Sequence, residues 1–334
     1  MRWSRLHAAG AAIASLAVAA IPAPAGAASP TVGGCEVFPE FTGRAKAKSA
    51  RDLSAWNQGV TRAPVHGRSK RIVRRINRDG GTTLHPDFGS NPDYGIPFAL
   101  VGPEQPDVQV EIGPDGYPDE SDFGPAPVPP DARIEGGSDS DGDRHVLVLD
   151  AGTCGLYELY RAFPQPDGSW QADSTAFFDL TRSGPLRPEG YTSADAAGLP
   201  ILPGLVRYEE VAAGRVEHAI RITFEETRRA YLHPATHYAS DSCHRDRPAM
   251  GMRLRLRGRY FRSHLGDFPP GSQSRPIFEA LRRYGAIVAD NGSNWFITGA
   301  SDARWNDEDL NRLKDVPGSA FQVVKSAANP RTPC

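Results

Sequence analysis

The clearest periodicity in this chain is the two-residue alternation of β-strands. Residues 216–224 put Val216, His218, Ile220, Ile222 and Phe224 on one face, and Glu217, Ala219, Arg221 and Thr223 on the other. Residues 252–257 alternate as strictly, with Arg253, Arg255 and Arg257 on the polar side. The apolar run at 145–150 reads as a buried strand, followed after a turn by another at 156–160 and, beyond Asp167-Gly168, by Trp170. Shorter strands are expected within 94–101 and 108–112. The runs 286–289 and 295–298 flank Asp290-Asn291-Gly292-Ser293-Asn294, where Asn-Gly predicts a hairpin. Helical spacing is confined to brief segments. Residues 69–78 carry Ile72, Val73 and Ile76 on one face with Gly80 beyond, and 192–214 hold helical turns stopped by Gly214. A helix over 277–284 is expected to open at Pro276 and close at Gly285, and a last one to start at Asn306 or Asp307. No internal repeat is evident. The pattern predicts a mainly β protein, an antiparallel sandwich or jelly-roll-like body with a few short helices.

Composition adds the compartment. Arg2 and Arg5 precede an apolar stretch over 8–21, and Ala25-Gly26-Ala27 offers small residues for cleavage, so 1–27 reads as a signal peptide. That stretch is too short to span a bilayer, and no second one follows. Residues 28–50 read as a flexible entry segment and 51–334 as a single β-rich domain. Without the leader's two arginines, 36 basic residues face 40 acidic ones, a formal charge of −4, which argues against nucleic acid as a partner. Thirty prolines and 34 glycines suit strands joined by irregular loops. Four cysteines in an exported chain imply two disulfides with three possible pairings. Cys35–Cys154 with Cys243–Cys334 is preferred, because it pins both termini to the body.

Several groups carry chemistry, each with a plain structural alternative. Carboxyl groups at Glu120, Asp122, Glu210 and Asp290 are candidates for the acid and base of glycosidic cleavage, although loop aspartates also serve turns. His145 and His218 are candidate proton carriers or buried core histidines. Arg253, Arg255 and Arg221 form either a guanidinium surface for acidic sugars or a solvated face. Trp56, Asn57, Tyr238, Asn291 and Trp295 are candidate substrate contacts, the tryptophans as stacking platforms or as core. Asp139, Asp141 and Asp143 are spaced as in a calcium loop but lack its distal glutamate, so no cofactor is expected. Arginines at 71, 74, 75 and 78 either meet an anionic partner or cover a solvated helix face. The G-x-S-x-G, HExxH, GxxxxGK[ST] and GxGxxG motifs are absent.

The stretches HVLVLDAGTCGLYELY (145–160), TSADAAGLPI (192–201) and ADNGSNWFITG (289–299) resemble a family of secreted bacterial proteins of unassigned activity. Its members are often joined to carbohydrate-binding or fibronectin-type modules. The likeness runs from about Cys35 to Val324 and implies a glycan target by association, with no catalytic residues to carry over. The expectation is a monomeric, secreted polysaccharide-degrading enzyme, a glycoside hydrolase acting on an extracellular, acidic glycan. The alternatives are a uronate-specific polysaccharide lyase and a non-catalytic glycan- or cell-wall-binding protein.

Overall fold

The computed structural model describes residues 31–37, 55–122, 124–181, 187–327 and 329–334. The expected leader and most of the entry segment lie outside these residues. Within that segment, Thr31–Val32 and Cys35–Glu36 pair as a hairpin through Gly33-Gly34, both with positive φ, and Cys35 is buried.

The body is mainly β, as the alternation predicts, with strands in several sheets and a few short helices. Its largest sheet runs Phe321–Val323, Arg253–Leu256, Ala286–Asn291, Ile220–Phe224, Phe296–Thr298 and His85–Asp87. Antiparallel ladders predominate, but Ile220–Phe224 pairs parallel with Ala286–Asn291, and Phe296–Thr298 parallel with His85–Asp87. The Asn-Gly hairpin does not form. The central strand Ile220–Phe224 lies between the two runs that were expected to pair. Asn291 is instead tied to Ser240, Thr227 and the Glu225 carbonyl, so the segment after Asp290 crosses the strand rather than folding back on itself.

Helix Ser69–Asp79 lays Ile72, Val73 and Ile76 on this sheet, and helix Ser274–Arg283 adds Ile277, Phe278 and Leu281. The second helix begins two residues before Pro276. Asp309, from the short helix Asp307–Leu310, accepts from the Gln273 and Ser274 amides and the Ser274 hydroxyl, so its start is capped from another element.

A four-stranded sheet of Ser174–Asp179, Gly155–Tyr160, Val146–Asp150 and Phe98–Val101 stands beside the large one. Leu147, Leu149 and Leu156 face the 194–205 segment, while Val146, Val148 and Leu159 face Trp170 and Val110 of a three-stranded sheet. Covered on both sides, its central strand needs the continuous apolar run that marked it in the sequence. The disulfides are Cys35–Cys154 and Cys243–Cys334, the preferred pairing.

Candidate functional site

Two sheets and three loops converge on a cavity of about 520 Å³. Tyr160 and Ser174, cross-strand partners at the end of the four-stranded sheet, form one side. Asp290 and Asn291 come from the large sheet, Tyr117 and Glu120 from one loop, and Tyr238 and Asp241 from another.

Asp290 reaches the cavity because its strand is irregular. Ile222 pairs with Val288, but the next residue, Thr223, pairs with Asp290, so Ala289 is an extra residue. Strict alternation would turn Asp290 to the face of Ile222 and Phe224. The bulge turns it to the face of Arg221. Arg221 is buried there. Its Nε and Nη2 donate to the two oxygens of Asp195 at 3.1 and 2.9 Å, Nη1 to Thr298 Oγ1, and Nη2 also to Asp290 Oδ2 at 2.8 Å. Asp195 is fully buried, whereas the Asp290 side chain is 15% exposed.

One guanidinium cannot neutralise two carboxylates. Asp195 holds the bidentate fork, and Asp290 is bonded by the same terminal nitrogen, Nη2. The surplus charge is avoided by keeping a proton on the pair. Burial, reinforced by the Asp195 charge, pushes Asp290 up to about 8. Burial also raises Asp195, against the pull of Arg221.

Beneath the cavity floor, His145 is buried with Nδ1 2.6 Å from Glu135 Oε2 and Nε2 3.0 Å from the Ala194 carbonyl. Both partners are acceptors, so both ring nitrogens donate and the ring is a cation. Burial opposes this, but Glu135 overrides it and pushes His145 up to about 9. Glu135 is correspondingly held low by His145 despite its burial. Glu158, enclosed in the same core, is pushed up to about 7 by burial while accepting from the Ile201 and Leu202 amides.

Of the residues singled out from the sequence, Glu120, Asp143, Asp290, Tyr238 and Asn291 line this cavity, with Arg221 and His145 directly behind it. The others are elsewhere. Glu210 and His218 pair at 3.1 Å beside Arg207 at the start of helix Tyr208–Ala212, near the opposite end of the central strand from Asp290. Asp122 pairs with Arg187 and receives the Phe177 amide beside a separate cavity of about 340 Å³. Trp56 and Trp295 are fully buried, the latter edge-on to Phe224 and donating to Asn77, so neither ring is a platform for sugar. The Asn57 side-chain oxygen is likewise buried.

The guanidinium surface dissolves for a different reason. Arg253 donates to the carbonyls of Ala55 and Gln58, and Arg255 to those of Val60 and Ala63, so both clamp the 55–63 segment. Arg144 takes the Ser138 and Ser140 carbonyls inside the supposed calcium loop. Among the described residues no group of three or more His, Cys, Asp or Glu side chains is placed to hold a metal.

Asp195 went unrecognised because it sits in an aperiodic loop, Ser193-Ala194-Asp195-Ala196-Ala197-Gly198, whose turn is set by Ser193 Oγ. Asp143 stood out only for the spacing of a calcium loop, yet it lines the cavity, and its charge is felt by Asp290, Tyr160 and His145. No family model, curated protein or solved structure matches the chain, so the reading of this site rests on its own geometry.

Proposed function

We propose that this chain is an exported hydrolase of glycosidic bonds, in which Asp290 protonates the leaving oxygen and Asp143 supplies the second carboxylate. The observation that carries this reading is a carboxyl group in the wall of a ligand-sized cavity, sharing one buried arginine with a second, fully enclosed carboxyl group. Glycosidic cleavage needs one carboxyl group that holds a proton at working pH and another that is ionised. Asp290, raised to about 8, suits the first role, and exposed Asp143 at the rim suits the second. Tyr117, Tyr160 and Tyr238 present ring faces and hydroxyls to a polyhydroxylic chain.

Among the described residues, the lining holds Glu120, Asp143, Asp241 and Asp290 but no lysine or arginine. That favours a neutral or amine-bearing glycan over the acidic one expected from the strand arginines. It also leaves uronate elimination without a cation to neutralise the sugar carboxylate. Export rests on the leader-like residues 1–27 and on the two disulfides.

The test is to incubate the mature protein with neutral, amino and acidic polysaccharides and to measure new reducing ends. Asp290→Asn and Asp143→Asn are each expected to lower the rate roughly 10²–10⁴-fold, with exposed Asp119→Asn unchanged. Wild-type activity should fall as pH rises through about 8. Full activity in Asp290→Asn, or release of unsaturated products in place of reducing ends, removes the assignment.

A further inference from the structure

A second group of residues, outside the cavity lining, has the opposite charge. Helix Ser69–Asp79 exposes Lys70, Arg74 and Arg78 along one i, i+4 row, which sets a cation about every 6 Å along the axis. The turn over 245–247 lies against this helix: Asp246 pairs with Arg68 at 2.8 Å and Arg71 at 3.7 Å, and Arg247 lies 3.5 Å from Asp79. Those acids are consumed by these contacts. Lys70, Arg74, Arg78, Arg228 and Arg245 have no carboxylate partner among the described residues.

Arg228 is the most informative of them. Its Nε is buried with no hydrogen-bond partner among the described residues. Burial and the like charges of Arg245 and Arg68 hold its guanidinium below its ordinary value. Three guanidinium groups gathered with too few counter-charges form an arrangement that an anion would complete.

We propose that this face binds an acidic glycan chain through its carboxylate or sulfate groups. The row of cations suits a polymer with repeated charges, and guanidinium forks match planar and tetrahedral oxyanions. A lipid surface is the poorer fit, because of the large exposed apolar side chains among the described residues (Val65, Leu100, Tyr117, Phe177 and Tyr191) only Val65 is near the helix in sequence. The disulfides fit an oxidising compartment, where acidic glycans are at hand and nucleic acid is not the usual polyanion. This binding is independent of the cavity, whose acids would repel the same polymer.

The full chain is titrated with heparin oligosaccharides and polygalacturonate, with dextran, anionic vesicles and duplex DNA alongside. Both acidic glycans should bind, more weakly as salt rises, and dextran should not. The combined variant Lys70→Ser, Arg74→Ser, Arg78→Ser, Arg228→Gln should weaken binding on the order of tenfold or more at unchanged melting temperature. Arg259→Ser with Arg262→Ser, exposed cations on another helix, should not alter it. The proposal is overturned by unchanged binding in the combined variant, by an equal loss in the control, by no binding at low salt, or by tighter binding of vesicles or DNA than of either glycan.

Discussion

Folding changes how many protons the Asp195–Asp290 pair holds, which makes stability itself a readout of the site. An unfolded aspartate releases its proton near pH 3.9, whereas Asp290 in the folded chain keeps it to about pH 8. The folded state therefore binds more protons between these values, and the pair's contribution to stability is fully present below about pH 4 and is lost as pH rises through about 8. Asp290→Asn, whose amide donates to Asp195 in place of the shared proton, should lack this slope. Urea unfolding at pH 5 and pH 8.5 checks it: the variant should gain on the wild type at the higher pH, and parallel behaviour would remove the shared proton. His145 has its own window. With its folded value raised to about 9, its pairing with Glu135 stabilises fully below about pH 6.5 and is lost as pH rises through 9. Asp290 was legible in the sequence as a loop acid between two strands. Arg221 was legible only as a polar-face cation and Asp195 not at all, because what joins them is a contact across 26 residues, one of them in a segment without period.

At the scale of elements, a single bulge decides which way the acid points. Ala289 is the bulged residue, and deleting it should restore a regular ladder with Asp290 still opposite Thr223, on the face of Arg221. The pair with Arg221 should therefore survive the deletion, which should cost no more than about 3 kcal/mol in denaturant unfolding, and loss of the pH slope, as in Asp290→Asn, would show that the acid had turned away. The strands themselves were readable from their period, and the run 146–149 from its unbroken apolarity. The bulge was not, since Val288-Ala289-Asp290 alternates as plausibly with it as without it. Strand order was hidden for a similar reason. The Asn-Gly signal describes local chain reversal and holds no information about a third strand, Ile220–Phe224, that competes for both edges.

For the whole molecule, a formal charge near neutrality conceals an acid-lined hollow and a basic helix face. Composition averages over the very separation that sets what each face can bind, and the strand arginines from which an acidic substrate was expected are spent on the carbonyls of the 55–63 segment. The disulfides divide the molecule similarly. Cys243–Cys334 fastens the chain just beyond the Tyr238–Asp241 wall to the C-terminal segment, whereas Cys35–Cys154 fastens the N-terminal hairpin to the turn after Val146–Asp150. Replacing Cys243 and Cys334 with serine should cost about 2–5 kcal/mol and speed amide exchange across 237–245, with the 150–155 turn unaffected. Equal exchange at both places would show that the bond does not hold the cavity wall. The clamp formed by Arg253 and Arg255 has a different consequence. Each guanidinium grips peptide oxygens, which every amino acid supplies, so the clamp is indifferent to which side chains occupy most of 55–63. That strap can drift in sequence across generations while remaining fastened, provided the two arginines on the strand beneath it persist.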